Sequence, residues 1–198
     1  MIPRHLLIAT IVLLLGALGL SLYALHMRGR AAQFSSAAAD TRPVAPPAFG
    51  PNERVTLFVA KDDAGVLHPQ LANIALPSAR QQRAEEILRA LLATYLNPSS
   101  THPIPPGSEV RAVYLVDPGL AVVDLNGAFA NGHRSGVLEE ELTVLSLIQT
   151  LNANLPGILR VKILVDGHQR DTLAGHADLS DFYDTSAVNQ LVTQMQSQ

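Results

Sequence analysis

The sequence predicts an α/β (α+β) domain: a small mixed β-sheet with two main helices packed on it. The predicted order is strand, helix, strand, strand, helix, strand, with a separate transmembrane helix at the N-terminus. Three observations carry this expectation. Two stretches repeat apolar residues at helical spacing, four short runs are rich in β-branched residues, and Pro, Gly and Asn-Pro signals separate them. About 130 residues are enough for one hydrophobic core.

Composition narrows the function classes. The 198 residues carry a formal net charge of -3, with 14 Lys and Arg thinly spread. Such a chain offers no basic field for nucleic acid. It has no Cys, which excludes disulfides, thiolate zinc sites and lipidation at a cysteine.

Residues 1–5 form a short flank. Residues 6–25, with Leu6 first and Leu25 last, are uncharged and rich in Leu, Ile, Val and Ala. At about 1.5 Å per residue a helix of this length spans about 30 Å, the hydrocarbon thickness of a bilayer. Tyr23 suits the interface near its end. A cleaved signal peptide is the rival reading. The run exceeds the usual length of about 7–15 residues for such a peptide, and the small-residue site Ala37-Ala38-Ala39 lies well beyond it. An uncleaved single-pass anchor is therefore expected. Arg4 precedes it and Arg28, Arg30 and Arg42 follow, so charge alone leans slightly towards a cytoplasmic C-terminal part.

Residues 26–53 read as a linker. Pro43, Pro46, Pro47 and Pro51 fix φ and remove donors, and few large apolar residues are present to offset the ordering entropy. The domain proper is expected over residues 54–184. Val55, Leu57, Phe58 and Val59 mark a strand that ends at the polar turn around Asp62, Asp63 and Gly65. Residues 66–76 are expected to be an irregular segment or a short strand. Ser78 and Gln81 have capping-box spacing and predict a helix start at Ser78. Ala84, Ile87, Leu88, Leu91, Leu92 and Tyr95 give it a one-sided stripe, and Asn97-Pro98 stops it.

Residues 99–107 form a Pro-rich loop. Strands over 110–116 and 120–125 follow, joined at Asp117-Pro118-Gly119, with the second ending through Asn126 to Phe129. A second helix is expected over 135–154 with Ser135 as N-cap. Val144, Ile148, Leu151 and Leu155 share its apolar stripe, widened by Leu138, Leu142 and Leu145. An arc this broad implies deep burial, or one face on the sheet and another on a partner. Glu139, Glu140 and Glu141 favour the positive end of the helix dipole. After Pro156-Gly157, residues 160–165 form a core strand, Asp166-Gly167 a tight turn, and Thr172-Leu173 a second short strand. Val188, Leu191, Val192 and Met195 predict an amphipathic tail over 185–198.

No constellation points to catalysis. Ser135 lies near His133 in sequence, but it is not flanked as a nucleophile elbow requires. Glu85 and Glu86 do not make an acid/base pair. His68, His102, His133, His168 and His176 show no i, i+4 spacing for a metal. The only metal candidates are His168, His176 and Asp178. Asp178, Asp181 and Asp184 match no EF-hand loop, and Asp178-Leu179-Ser180 reads instead as a turn or cap. No cofactor is expected.

One group of motifs resembles the GerMN domain, named after a spore-germination and sporulation protein of Gram-positive bacteria. The motifs are Thr150-Leu151, Pro156-Gly157, Val161, Val165-Asp166-Gly167, Thr172-Leu173, Gly175-His176, Asp178-Leu179-Ser180 and Phe182. Leu88, Leu91-Leu92 and Pro105-Pro106-Gly107 add to them, and the resemblance covers residues 55–183. It implies a fold similar to ring-building modules of sporulation and secretion machines, no catalytic residues, and an extracytoplasmic setting. Asp166, Gly167, Thr172, Leu173, Gly175, His176, Asp178, Leu179, Ser180 and Phe182 are then structural residues. The founding protein carries two such domains where this chain has room for one, and relatives often use a lipidated Cys where this chain has an apolar segment.

These readings together describe a non-enzymatic domain, anchored in the membrane through residues 6–25. Its expected partner is an envelope protein or a second copy of itself. A ligand-binding or sensing module for a cell-wall fragment or a metal is the second reading, and a hydrolase the third.

Overall fold

A computed structural model describes residues 50–197. The predicted membrane span and all but the end of the predicted linker lie outside the described residues. No helix among the described residues is long and apolar enough to cross a membrane.

The elements run β1 (Asn52–Lys61), β2 (Val66–Ala75), α1 (Arg80–Leu96), β3 (Val110–Val116), β4 (Leu120–Leu125), α2 (Gly127–Asn131), α3 (Val137–Asn154), β5 (Arg160–Val165), β6 (Tyr183–Asp184) and α4 (Thr185–Gln196). The strands form two sheets where one was expected: an antiparallel β1-β2 pair, and a four-stranded sheet in the order β3-β4-β5-β6. Within the second sheet β4 and β5 are parallel, and the other two pairs are antiparallel.

The stretch after the first turn is a full ten-residue strand, so of the two expectations, an irregular segment or a short strand, the strand holds and is longer than expected. It pairs with β1 from Lys61↔Val66 to Asn52↔Ala75. Pro69 and the mixed polarity of this run disguise it. An edge strand tolerates a residue that cannot donate.

Helix α3 is the centre of the domain formed by the described residues. Every residue from Leu142 to Leu151 is buried, and the helix packs on β1, β2, α1 and α4. The broad apolar arc is thus covered within the domain, apart from Val137 and Leu138 at its start, which stay exposed. Its polar residues complete a strand edge. Thr150 Oγ1 accepts from Phe58 N at 2.9 Å, and Asn154 takes both backbone groups of Thr56. From α1, the Tyr95 hydroxyl accepts from Ala60 N at 2.9 Å. The edge of β1 that faces away from β2 is therefore filled by side chains, which removes a template for intermolecular pairing.

Both predicted helix caps are corrected. Helix α1 starts at Arg80, with Ala79 as N-cap and no side-chain cap bond, because Ser78 lies one residue too early for its hydroxyl to serve the first turn. Helix α3 starts at Val137 with Gly136 as N-cap. Ser135 instead points at the His176 ring, 3.4 Å away. A cap that was not expected follows β4: Asn126 accepts from Phe129 N and starts the short helix α2 where strand was predicted to fade out. The C-terminal stripe is a helix as read. Asp184 caps α4, and Val188 and Val192 are buried.

Candidate functional site

The segment after β5 is built by three ionised side chains that reach it from the sheet and from α3. The first is Asp124 on β4. Asp166 and Gly167 have φ of 52° and 76°, and Val165 and His168 exchange both backbone hydrogen bonds across them. This is the geometry of a primed two-residue hairpin turn, which explains the Asp-Gly pair. Gly167 N donates to the nearly buried Asp124 carboxylate at 2.7 Å. Arg111 bridges to Asp166 at 3.2 Å and approaches Asp124 at 3.7 Å.

The second is Glu140, 0% exposed on the first turns of α3. Its Oε2 accepts from the backbone N–H groups of Ala174, His176 and Ala177 at 2.9, 2.9 and 3.0 Å. Its Oε1 takes Gly136 N and the His176 Nδ1. Burial alone would raise this carboxyl. The His176 ring and the N–H groups of His176, Ala174 and Ala177 outweigh it and hold the group down at about 2. Gly175, at φ 125°, allows the loop to curl around the carboxylate.

The third is Lys162 on β5, nearly buried. Its Nζ donates to the carbonyl oxygens of Leu179 and Ser180, each at 2.7 Å, with Asp181 O at 3.5 Å. The loop thus offers its N–H groups to a buried anion and its carbonyls to a buried cation. Charge burial is tolerable only when hydrogen bonds replace lost water, and both groups meet that condition. Between them Leu173 and Leu179 insert into the core. Phe182 is exposed, and its ring lies 5.3 Å from Arg160 and 5.7 Å from Lys162.

The predicted site residues fall as follows. Asp178 accepts from Ser180 N and Oγ at 2.7 and 2.6 Å, a turn as read. Thr172 and Leu173 do not form a strand. Only an isolated bridge, Thr172 to Asp178, joins the loop's two arms, because the Glu140 carboxylate takes the N–H groups that a ladder would use. His168 sits at the hairpin turn and His176 on Glu140, and no group of three metal-ligating side chains occurs among the described residues.

Beside the loop lies a groove of about 410 Å³ between α3, α4 and residues 176–178. Val144, Leu145, Val188 and Leu191 give it an apolar floor, and Glu141, Asp178 and Tyr183 stand around it. Burial pushes the Tyr183 phenol up to about 12, with the carboxylates of Asp178 and Glu141 adding to the effect. Val137, at 64% exposed, extends the apolar surface to the lip.

Sequence reading missed Glu140 and Lys162. Both look like surface charges. Glu140, however, stands four residues before Val144, directly on the buried stripe, and Lys162 interrupts an otherwise apolar core strand. Those positions were the available signal. It also missed the buried group formed by His102, Thr143 and His133, which come from distant parts of the chain.

Among curated proteins no relative matches this chain. Among solved structures, the tandem GerMN domains of the sporulation protein GerM from Bacillus subtilis align with a TM-score of 0.52 at 19% identity. That alignment covers 69% of this chain and 47% of the tandem structure, so the likeness is one of fold. The first GerMN domain of the same protein aligns at 0.48 and 19% identity, over 67% of this chain and 97% of that one. A Clostridium perfringens protein provisionally assigned as a lipoprotein aligns at 0.48 and 18% identity, over 74% and 96%. The profile of the Germane family, described as sporulation and spore germination, matches residues 56–171. The match includes the Asp166-Gly167 turn and stops before Thr172. Since the matched span is more than half of the 198 residues, the chain belongs to the Germane family, to which GerMN domains are related.

Proposed function

We propose that this chain is a single-pass, membrane-anchored domain held outside the cytoplasm, acting without catalysis through protein–protein contact in the cell envelope. The observation that carries this reading is the groove between α3, α4 and the 176–178 segment. It is apolar, continues onto the exposed Val137, and has walls pinned by Glu140. A preorganised apolar surface binds with less ordering cost than a mobile one. Membership of the Germane family and the apolar residues 6–25 support the setting.

The test uses the full chain in cells. A photo-crosslinking residue at Val137 or Leu191 is expected to give a discrete adduct, whether with a second copy or with an envelope protein, and one at Gln70, away from the groove, is not. Alkaline phosphatase fused after Gln198 should be active. Adducts from neither groove position, or activity only from a cytoplasmic reporter, would overturn the reading. The groove volume also falls in the range of small-ligand pockets. If a wall fragment is the true occupant, soluble muropeptide will protect Val137 from labelling and no protein adduct will form.

A further inference from the structure

Four side chains, with Thr143 of α3 among them, form a chain of hydrogen bonds that runs from the partly buried Asp62 into the interior. The Asp62 carboxylate meets His102 Nδ1. His102 Nε2 lies 2.6 Å from Thr143 Oγ1, and the same hydroxyl lies 2.8 Å from His133 Nε2. His133 Nδ1 then lies 2.8 Å from the carbonyl oxygen of Arg134. His102, Thr143 and His133 are all buried. The order resembles a nucleophile, base and acid, but the Thr143 hydroxyl is closed off from any substrate.

Each of these links needs one proton. The threonine hydroxyl and two neutral imidazoles provide three, and an ionised aspartate provides none. Four links therefore leave the set one proton short. Thr143 Oγ1 also lies 2.9 Å from the Glu139 carbonyl. Sending its proton there forces both Nε2 atoms to donate and widens the shortfall. A link without its proton would set lone pairs face to face, away from water.

The surroundings decide where the extra proton sits. Arg134 pairs with the second oxygen of Asp62 at 3.1 Å, so that ion pair stands beside the His102 ring. From α1, Tyr95 sets its ring against His102 at 4.8 Å, and burial pushes its phenol up to about 12, so it brings no charge. On the other side His133 meets a carbonyl and the Phe129 ring, 5.9 Å away. Burial, together with the neighbouring His102, draws its imidazole below the ordinary value, against weaker upward effects from the Arg134 carbonyl, Glu140 and Asp62. Glu139, also on α3, is turned towards Arg134 at 3.8 Å.

We infer that folding takes up one proton at this chain, held on His102 as an imidazolium paired with Asp62. The tie joining the β1-β2 turn, the loop between α1 and β3, and α3 is thus a pH-sensitive latch. The folded state binds one more proton than the unfolded state, so the latch is complete at lower pH and loosens as the pH rises. The folding constant then falls about tenfold per pH unit between the ordinary histidine range, where the unfolded chain releases that proton, and the higher pH at which the folded chain does.

Ring-nitrogen NMR of the full chain, labelled at histidine and followed from about pH 5 to about pH 9, tests this directly. The expected result at neutral pH is His102 with both ring nitrogens protonated and His133 with one. A His102 that is a neutral single tautomer in the intact fold overturns the inference. His102→Gln spans the same partners without titrating, so its stability should lose the tenfold slope, and a variant that keeps the slope also overturns it. Should that variant not fold, the wild-type spectrum decides alone.

Discussion

The Asn154 side chain treats Thr56 as a neighbouring strand would. Its Oδ1 accepts from Thr56 N at 3.0 Å and its Nδ2 donates to Thr56 O at 2.7 Å, across 98 residues of sequence. A second donation to Thr150 O at 2.7 Å fixes the amide's orientation on the helix. Asn154→Leu leaves two backbone groups of β1 without partners, at a cost of about 1–3 kcal/mol. It also bares a strand edge. Chemical denaturation should show the loss, and light scattering should show concentration-dependent association absent from the parent chain. An unchanged midpoint would remove the edge-sealing role.

Glu140 ties stability to acid. Its folded-state value of about 2 lies below the ordinary 4.5. The stabilisation is therefore full above about 4.5 and is lost as the pH falls towards about 2. Glu140→Gln keeps the shape without the charge, at a cost of about 1.5–3 kcal/mol near neutrality. Urea midpoints measured through this interval should fall less steeply for the variant than for the parent. Parallel curves would assign the acid sensitivity elsewhere.

Lys162 should be indispensable to the far arm of the loop. In Lys162→Met the aliphatic stem still packs, but the Leu179 carbonyl loses its donor and the Ser180 carbonyl keeps only Gln169 Nε2, at 2.9 Å. The expected cost is about 1–3 kcal/mol. Hydrogen exchange should accelerate in residues 178–184 while the Glu140-held residues 174–177 keep most of their protection. Uniform acceleration across both arms would mean that the two anchors act as one unit.

At Gly167, φ is 76°. Gly167→Ala places a Cβ in a left-handed conformation at a cost of about 1–2 kcal/mol. No atom stands within 4 Å of the added carbon, so the effect is one of backbone strain alone. A melting temperature equal to the parent's would contradict the positive φ.

Periodicity made the helices legible. Ala84, Ile87, Leu88, Leu91, Leu92 and Tyr95 were read as one stripe, and all six are buried on α1. Val188 and Val192 announced α4 in the same way. The Asp166-Gly167 turn was legible because few residue pairs tolerate two positive φ angles in succession. What pattern could not reach was long-range pairing. Strand β2 has little alternation of its own and exists because β1 supplies a partner along its length. Ser78 and Ser135 carry cap chemistry but stand one residue away from where it is used, and that offset depends on tertiary packing. Glu140 and Lys162 escaped for a related reason. A charged residue reads as solvent-facing until the loop that wraps it is known, and that loop is more than 15 residues distant in each case. The His102, Thr143 and His133 group draws on three separate elements, with 41 residues between His102 and Thr143.

The arrangement around β1 also sets an order of events during synthesis. The strand leaves the ribosome well before the residues that close its open edge: Tyr95 reaches Ala60 early, but Thr150 and Asn154 follow their partners by 92 and 98 residues. At elongation rates of about 5–20 residues per second that delay is about 5–20 s. For that interval the nascent chain carries a ten-residue hairpin strand with one edge unprotected, so its safe passage depends on whatever accompanies the chain until Asn154 has emerged.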